Sequence, residues 1–235
     1  MMRKIVFFLS SAFFFLSNGI SAQVAGENLP YIPAYREQIP YFQELITGGQ
    51  FEEPSLLIKG EPYYGSRQFA PGTLQINGIT YPDVPLVYDC FRDQLVTFHP
   101  IFNQKILIKP EKIDGFSLSN GDLFRHFSGN ESYSRHGNGI YQVVGEGKAI
   151  ALAKRYKTTK ALREMSRFDE EYLDKVEFFI LKDGVFTVVK KASDAYLALG
   201  LSPKVLKKEL KAKGLQFKAN PEGFLNFLVS HPTLD

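Results

Sequence analysis

Three aspartates, Asp83, Asp89 and Asp93, lie close together in the chain, with Tyr81, Tyr88 and Arg92 among them. Paired carboxylates can act as acid and base, or hold a cation through their oxygens. The same residues have a second use. Asp83 follows Pro82, and Phe91-Arg92-Asp93 separates two β-prone runs. Aspartate is favoured in such turns because its side chain bonds nearby backbone amides. The pattern therefore predicts structural aspartates where strands end. A hydrolase using Asp89 and Asp93 is the chemical alternative.

The other chemistry-bearing residues are sparse. The histidines are His99, His126, His136 and His231, without paired spacing or a His-Glu-x-x-His motif. Zinc sites usually present ligands at short spacing, so no metal site is expected. His126 and His136 would meet only if a hairpin brought them together. Cys90 is the single cysteine, which excludes an internal disulfide and two-thiol redox chemistry. It follows Val84, Leu86 and Tyr88 in alternation, so burial as a small apolar residue is expected in place of a thiol nucleophile. Gly137-Asn138-Gly139 and Gly145-Glu146-Gly147 lack phosphate-loop spacing, and no Gly-x-Ser-x-Gly elbow occurs. No catalytic, cofactor-binding or metal-binding residue is assigned from sequence, and no cofactor is expected.

The elements that would hold these residues are mostly strands. Asn77-Gly78 and Asp183-Gly184 each join two β-prone runs, the strongest short signal for a two-residue hairpin. Further strands are expected at 84–90, 94–99, 104–109, 112–118, 122–127, 140–144, 148–154, 176–182 and 185–190. Residues 128–139 read as a polar loop, and residues 156–174 fit either a loop or a helix. The tail changes character. Ser193-Asp194 can cap a short helix through Leu199, Ser202-Pro203 starts a second, and Pro221 to Val229 forms a third. The fold class expected is α+β and β-dominated. Antiparallel hairpins would form a sandwich or open barrel, with a helical C-terminal segment.

The N-terminus has a different pattern. Arg3 and Lys4 precede the apolar run Ile5 to Leu16, and small and polar residues follow to Ala22. This is the order of a secretory signal peptide, with cleavage after Ala22. The apolar run is too short to span a bilayer, and no later segment approaches the required ~20 residues. Residues 17 to 30 contain no cysteine for lipid anchoring. The expected layout is a signal peptide at 1–22, a Pro-containing arm at 23–55, a β body at 56–190 and a Lys-rich helical segment at 191–235. The body would divide, if at all, near 128–139. An exported protein is expected, periplasmic, outer-membrane-associated or extracellular.

The run Tyr64-Gly-Ser-Arg-Gln-Phe69, then Gly72 to Asp89 and Arg92-Asp-Gln-Leu95, carries a resemblance. It is similar to uncharacterised exported proteins of Bacteroidetes-type bacteria, which share a glycine-tyrosine hairpin and an aspartate-containing turn. The resemblance covers roughly residues 60 to 120, with a looser echo in the Lys-rich tail. It implies an exported, β-rich protein and assigns no activity.

Charge excludes one class of partner. The chain has 28 basic and 25 acidic residues, a net +3, and Arg3 and Lys4 belong to the leader. Nucleic-acid binding gains no support from this. Lys204, Lys207, Lys208, Lys211, Lys213 and Lys218 make the tail basic. Peripheral contact with an anionic membrane is one reading, and a solvated lysine face is the commoner one. The favoured function is a non-enzymatic cell-envelope protein that binds a protein or surface partner. The alternatives are a carrier of an apolar ligand and the Asp89/Asp93 hydrolase.

Overall fold

The computed structural model describes residues 45, 48–99, 102–163 and 167–231. The leader and most of the arm lie outside the described residues.

Among the described residues, eleven strands form one sheet. They are β1 (Ile58–Lys59), β2 (Ala70–Ile76), β3 (Ile79–Asp89), β4 (Gln94–Phe98), β5 (Lys105–Leu107), β6 (Ile113–Ser117), β7 (Leu123–His126), β8 (Ile140–Glu146), β9 (Ile150–Ala161), β10 (Glu170–Lys182) and β11 (Val185–Val189). Their order is β1-β10-β9-β8-β7-β6-β2-β3-β4-β5, and β11 lies beside β10. The sheet does not close. Its pairs are antiparallel except β1 with β10, which run parallel, so it is mixed where pure hairpins were expected. Residues 140 to 190 join the same sheet through the pairing of β7 with β8.

Both expected hairpin turns are present. Asn77 and Gly78 have φ of 49° and 76°, and Asp183 and Gly184 have 51° and 77°. These are the positive angles that a type I′ turn needs, and Gly78 adopts its angle without the strain a side chain would bring. Within the stretch 156–174, ambiguous in sequence, residues 156–161 and 170–174 extend β9 and β10 into the longest pairing of the sheet, from Glu170↔Ala161 to Leu181↔Ile150. Their charged residues hid the strand period, and pairing between neighbours overrides weak local propensity.

Asp83 is the one misplaced aspartate. It lies inside β3 instead of at a strand end, with φ 56°. There the pairing with β2 shifts between Gly72↔Val84 and Leu74↔Tyr81, so Pro82 and Asp83 form a bulge. A bulge accepts the angle that regular strand pairing refuses.

The core follows the alternation read from β3. Val84, Leu86, Tyr88 and Cys90 pack with Leu74, Ile76, Phe116 and Phe124, while Val87 packs separately with Phe51, Tyr63 and Val96. The helices are α1 (Ala192–Leu199), α2 (Pro203–Ala212) and α3 (Pro221–Val229). They bury Leu199, Leu206, Leu210, Phe224, Leu225 and Leu228 against Ala151, Ala153, Phe178 and Ile180 of β9 and β10. Alanines on the strands let the helices approach closely. Pro203 opens α2 as expected, and Ser202 holds the N-cap position without a side-chain capping bond. For α1 the cap differs. Lys191 is the N-cap, and Asp194, inside the first turn, accepts from the N–H groups of Lys190 and Lys191. The tail lysines 204, 207, 208, 211, 213 and 218 are all exposed.

Candidate functional site: a buried ion pair behind an open sheet edge

The turn between β3 and β4 carries Asp89, Cys90 and Asp93. Asp89 Oδ1 accepts from the N–H groups of Phe91 and Arg92, both at 3.0 Å. That is the turn-forming use predicted for aspartate. Its Oδ2 is buried without a hydrogen bond, and the nearest cation is Arg92, 3.7 Å away. Burial raises the Asp89 carboxyl above its ordinary range. Cys90 Sγ donates to the Pro62 carbonyl at 3.3 Å, and burial pushes the thiol up to about 12. A thiol held there is a poor nucleophile at neutral pH.

Asp93 closes the turn with φ 59° and points into the protein. The Tyr88 hydroxyl donates to Oδ1 at 2.5 Å, and the Asn138 N–H donates to Oδ2 at 2.5 Å. Lys154, from β9, donates to the same Oδ2 at 2.8 Å. The lysine also donates to the carbonyls of Ile140 at 2.8 Å and His136 at 3.0 Å. Its three ammonium hydrogens thus have three acceptors. Burial lowers the Lys154 pKa, and Asp93 opposes that shift. Gly137 has φ 57°, and a Cβ there would lie 2.5 Å from Asp93 Oδ2. A glycine is required at this approach.

A second layer holds the loop 128–139 over the pair. The Tyr141 ring centroid is 5.0 Å from Lys154 Nζ. Its hydroxyl accepts from the Asn130 amide and meets His136 Nδ1, each at 2.9 Å. Burial, with Lys154 close by, lowers the His136 pKa. His126 does lie near His136, but no group of three or more metal-ligating residues occurs among the described residues.

The arrangement fastens three segments that are distant in sequence. The β3–β4 turn, the loop 128–139 and β9 meet at one ion pair. Both oxygens of the Asp93 carboxylate and all three hydrogens of the Lys154 ammonium have partners within the protein. Sequence reasoning assigned Asp93 to its turn and missed Lys154. The signal was the run Ile150, Leu152, Lys154, which puts a lysine on an apolar strand face. Asp89 and Asp93 have different partners and share none of these hydrogen bonds.

Cys90, in the same β3–β4 turn, also borders a cleft of about 290 Å³. Tyr64, Cys90, Arg155, Tyr156, Asp174, Lys175 and Val176 line it. Its walls are fixed by their own bonds. Arg155 lies 5.6 Å over the Tyr64 ring, donates to Gln142 at 2.7 Å and pairs with Glu222 of α3. The Tyr64 hydroxyl donates to Asp122 at 2.8 Å. Tyr156 and Tyr133 both donate to Glu177, at 2.9 and 2.7 Å. Asp174 pairs with Lys157 at 3.1 Å, whereas Lys175 has no ion-pair partner among the described residues.

The cleft sits at a gap in the sheet. On one edge of β10, β1 pairs at residues 170 and 171, and β11 pairs from 178 onward. The two-residue turn makes Lys182↔Val185 a hydrogen-bonded pair, and the bonding side alternates along a strand. Asp174 and Val176 therefore turn their backbone N–H and C=O groups toward the gap. Among the described residues no loop backbone bonds to them.

No family model, no curated protein and no solved structure matches the chain. The expected likeness to exported Bacteroidetes-type proteins therefore rests on the sequence alone.

Proposed function

We propose that the chain is a non-enzymatic, exported cell-envelope protein that binds an extended segment of a protein partner at the β10 gap. The observation that carries this is the open stretch of β10 beside a preformed cleft. A strand laid between β1 and β11 would take up the backbone groups of Asp174 and Val176, the mode of recognition called β-augmentation. Its side chains would meet the Tyr64 and Tyr156 rings and Val176, and an acidic side chain would suit Lys175. The buried Asp93–Lys154 pair serves this reading by holding the β3–β4 turn against β9, so that the cleft is preorganised. Rigid sites bind more tightly because less is ordered on binding.

The other readings have less support. An apolar carrier needs an apolar hollow, and this cleft is walled by charged and phenolic groups. A hydrolase needs free carboxylates, and Asp93 has three donors on its two oxygens. The leader pattern and the sequence resemblance support export. The exposed lysine row of α2 allows contact with an anionic surface as an accessory to binding.

The test is recovery of partners from native envelope fractions with wild-type protein and with Asp174→Pro. Proline deletes an outward N–H and blocks a neighbouring strand. A partner held by wild type and lost by the variant supports the reading. Equal recovery by both would reject the gap as the site.

A further inference from the structure

Charge is spread unevenly along the chain. The whole sequence has 28 basic and 25 acidic residues. The stretch 191–218 has lysines at 191, 204, 207, 208, 211, 213 and 218 against only Asp194 and Glu209. The rest of the chain is therefore slightly acidic. Both acids of the stretch are engaged elsewhere. Asp194 accepts from the N–H groups of Lys190 and Lys191. Glu209, the one acid in α2, meets His231 Nε2 at 3.1 Å.

The lysines of α2 oppose the helix's own electrostatics. Its buried residues are Leu206 and Leu210. At 3.6 residues per turn, Lys204, Lys208 and Lys211 fall on the opposite face, within about 10 Å along the axis. Lys204/Lys208 and Lys207/Lys211 are like-charge pairs four residues apart, which destabilise a helix. Lys204 also lies in the first turn, which holds no acid and where the helix dipole disfavours a cation. Packing requires none of this. All four lysines are exposed, and none has an ion-pair partner among the described residues. Val205, 60% exposed, stands beside the row.

From these features we infer that the outer face of α2 docks on an anionic phospholipid bilayer, with Lys204, Lys208 and Lys211 on headgroup phosphates and Val205 pressed among the headgroups. The chemistry favours a lipid surface over a nucleic acid. The face is convex and holds no arginine, so it offers point charges to a diffuse anionic plane and no fork for a single phosphate. The aromatic rings of the segment are committed inward, with Tyr196 and Phe217 each edge-on to Phe224, which leaves no platform for bases. An apolar side chain amid lysines suits the headgroup boundary. The apolar side of α2 is buried in the protein, so docking is peripheral and sensitive to salt. It is separate from strand addition at the β10 gap.

Flotation with vesicles of phosphatidylcholine, alone or mixed with phosphatidylglycerol, tests the docking. Wild type should float only with the mixed vesicles, and high salt should release it. Each lysine near an anionic surface strengthens binding about fivefold, so Lys204→Ala/Lys208→Ala/Lys211→Ala should weaken it about a hundredfold. Lys59→Ala/Lys109→Ala/Lys175→Ala removes the same charge from exposed positions elsewhere and should change flotation little. Lys204→Glu separates docking from folding: it should raise the urea midpoint through the helix dipole and still weaken flotation. The chain has no tryptophan, so Val205→Trp is a lone reporter whose emission should shift to the blue on the mixed vesicles. Absence of flotation with the mixed vesicles would overturn the inference, as would equal flotation with neutral ones. Equal loss in the two triple variants, or an unmoved Val205→Trp emission, would do the same. So would tighter binding to a short DNA duplex than to the mixed vesicles. Asp174→Pro should float like wild type, so this docking and partner recovery at the β10 gap can fail separately.

Discussion

Replacing Lys154 by methionine isolates the ion pair. Methionine keeps most of the buried stem, so the packing loss is small. What disappears is the ammonium and its bonds to Asp93, Ile140 and His136. The Asp93 carboxylate stays buried with only Tyr88 and Asn138 as donors, and two carbonyls lose a partner. Breaking one side of a buried pair typically costs about 3–5 kcal/mol. The two remaining donors and the slight exposure of Asp93, 11% of its side chain, place the expectation near the lower end, about 3 kcal/mol. Asp93→Asn tolerates the positive φ and removes the charge. The double variant Lys154→Met/Asp93→Asn leaves no unpaired charge, so it should cost less than the two single losses added together. A coupling of about 1–3 kcal/mol is expected for residues in direct contact. Urea unfolding followed by far-ultraviolet circular dichroism gives these differences from midpoint and slope. A loss below about 1 kcal/mol for Lys154→Met, or strict additivity in the double variant, would refute the latch, since a buried broken pair cannot be that cheap.

Gly78→Val should destabilise the fold by roughly 1 kcal/mol or more, because a β-branched residue resists positive φ. An unchanged urea midpoint would contradict the turn. Cys90 should react with a thiol reagent only as fast as the protein opens, and native-state labelling at the rate of a free thiol would contradict its burial. Asp89 has a pH signature. Its folded carboxyl lies above the ordinary value of about 3.9, so the folded state binds its proton more tightly. The stability this confers is present at low pH and is lost as pH rises from the unfolded value through the folded one. Asp89→Asn cannot titrate, so its stability relative to wild type should rise across that window and then level off. A difference flat with pH, or falling, would show that burial is not what governs this group.

Much of the fold was legible because its signals are local. Asn77-Gly78 and Asp183-Gly184 specify turns by backbone angle, and Pro203 starts α2 through its fixed φ. The alternation Val84, Leu86, Tyr88, Cys90 reported one buried face directly. What stayed hidden depends on pairing at a distance. β9 and β10 carry Lys157, Lys160, Glu170 and Asp174 in a stretch whose period is masked by charge, and only their mutual register makes them strands. Lys154 looks like a strand end in sequence, since its partner Asp93 is 61 residues away. The gap in β10 exists because β1 and β11 join the same edge at separate places, which no local pattern encodes.

Amide exchange along β10 reaches the proposed binding edge most directly. In the free protein the N–H groups of Asp174 and Val176 should exchange quickly, while those of Lys175 and Glu177, which face β9, should be protected. With the partner recovered from the envelope bound, protection should appear at Asp174 and Val176. If both amides are already protected in the free protein, or stay unprotected in the complex, strand addition at this edge is wrong.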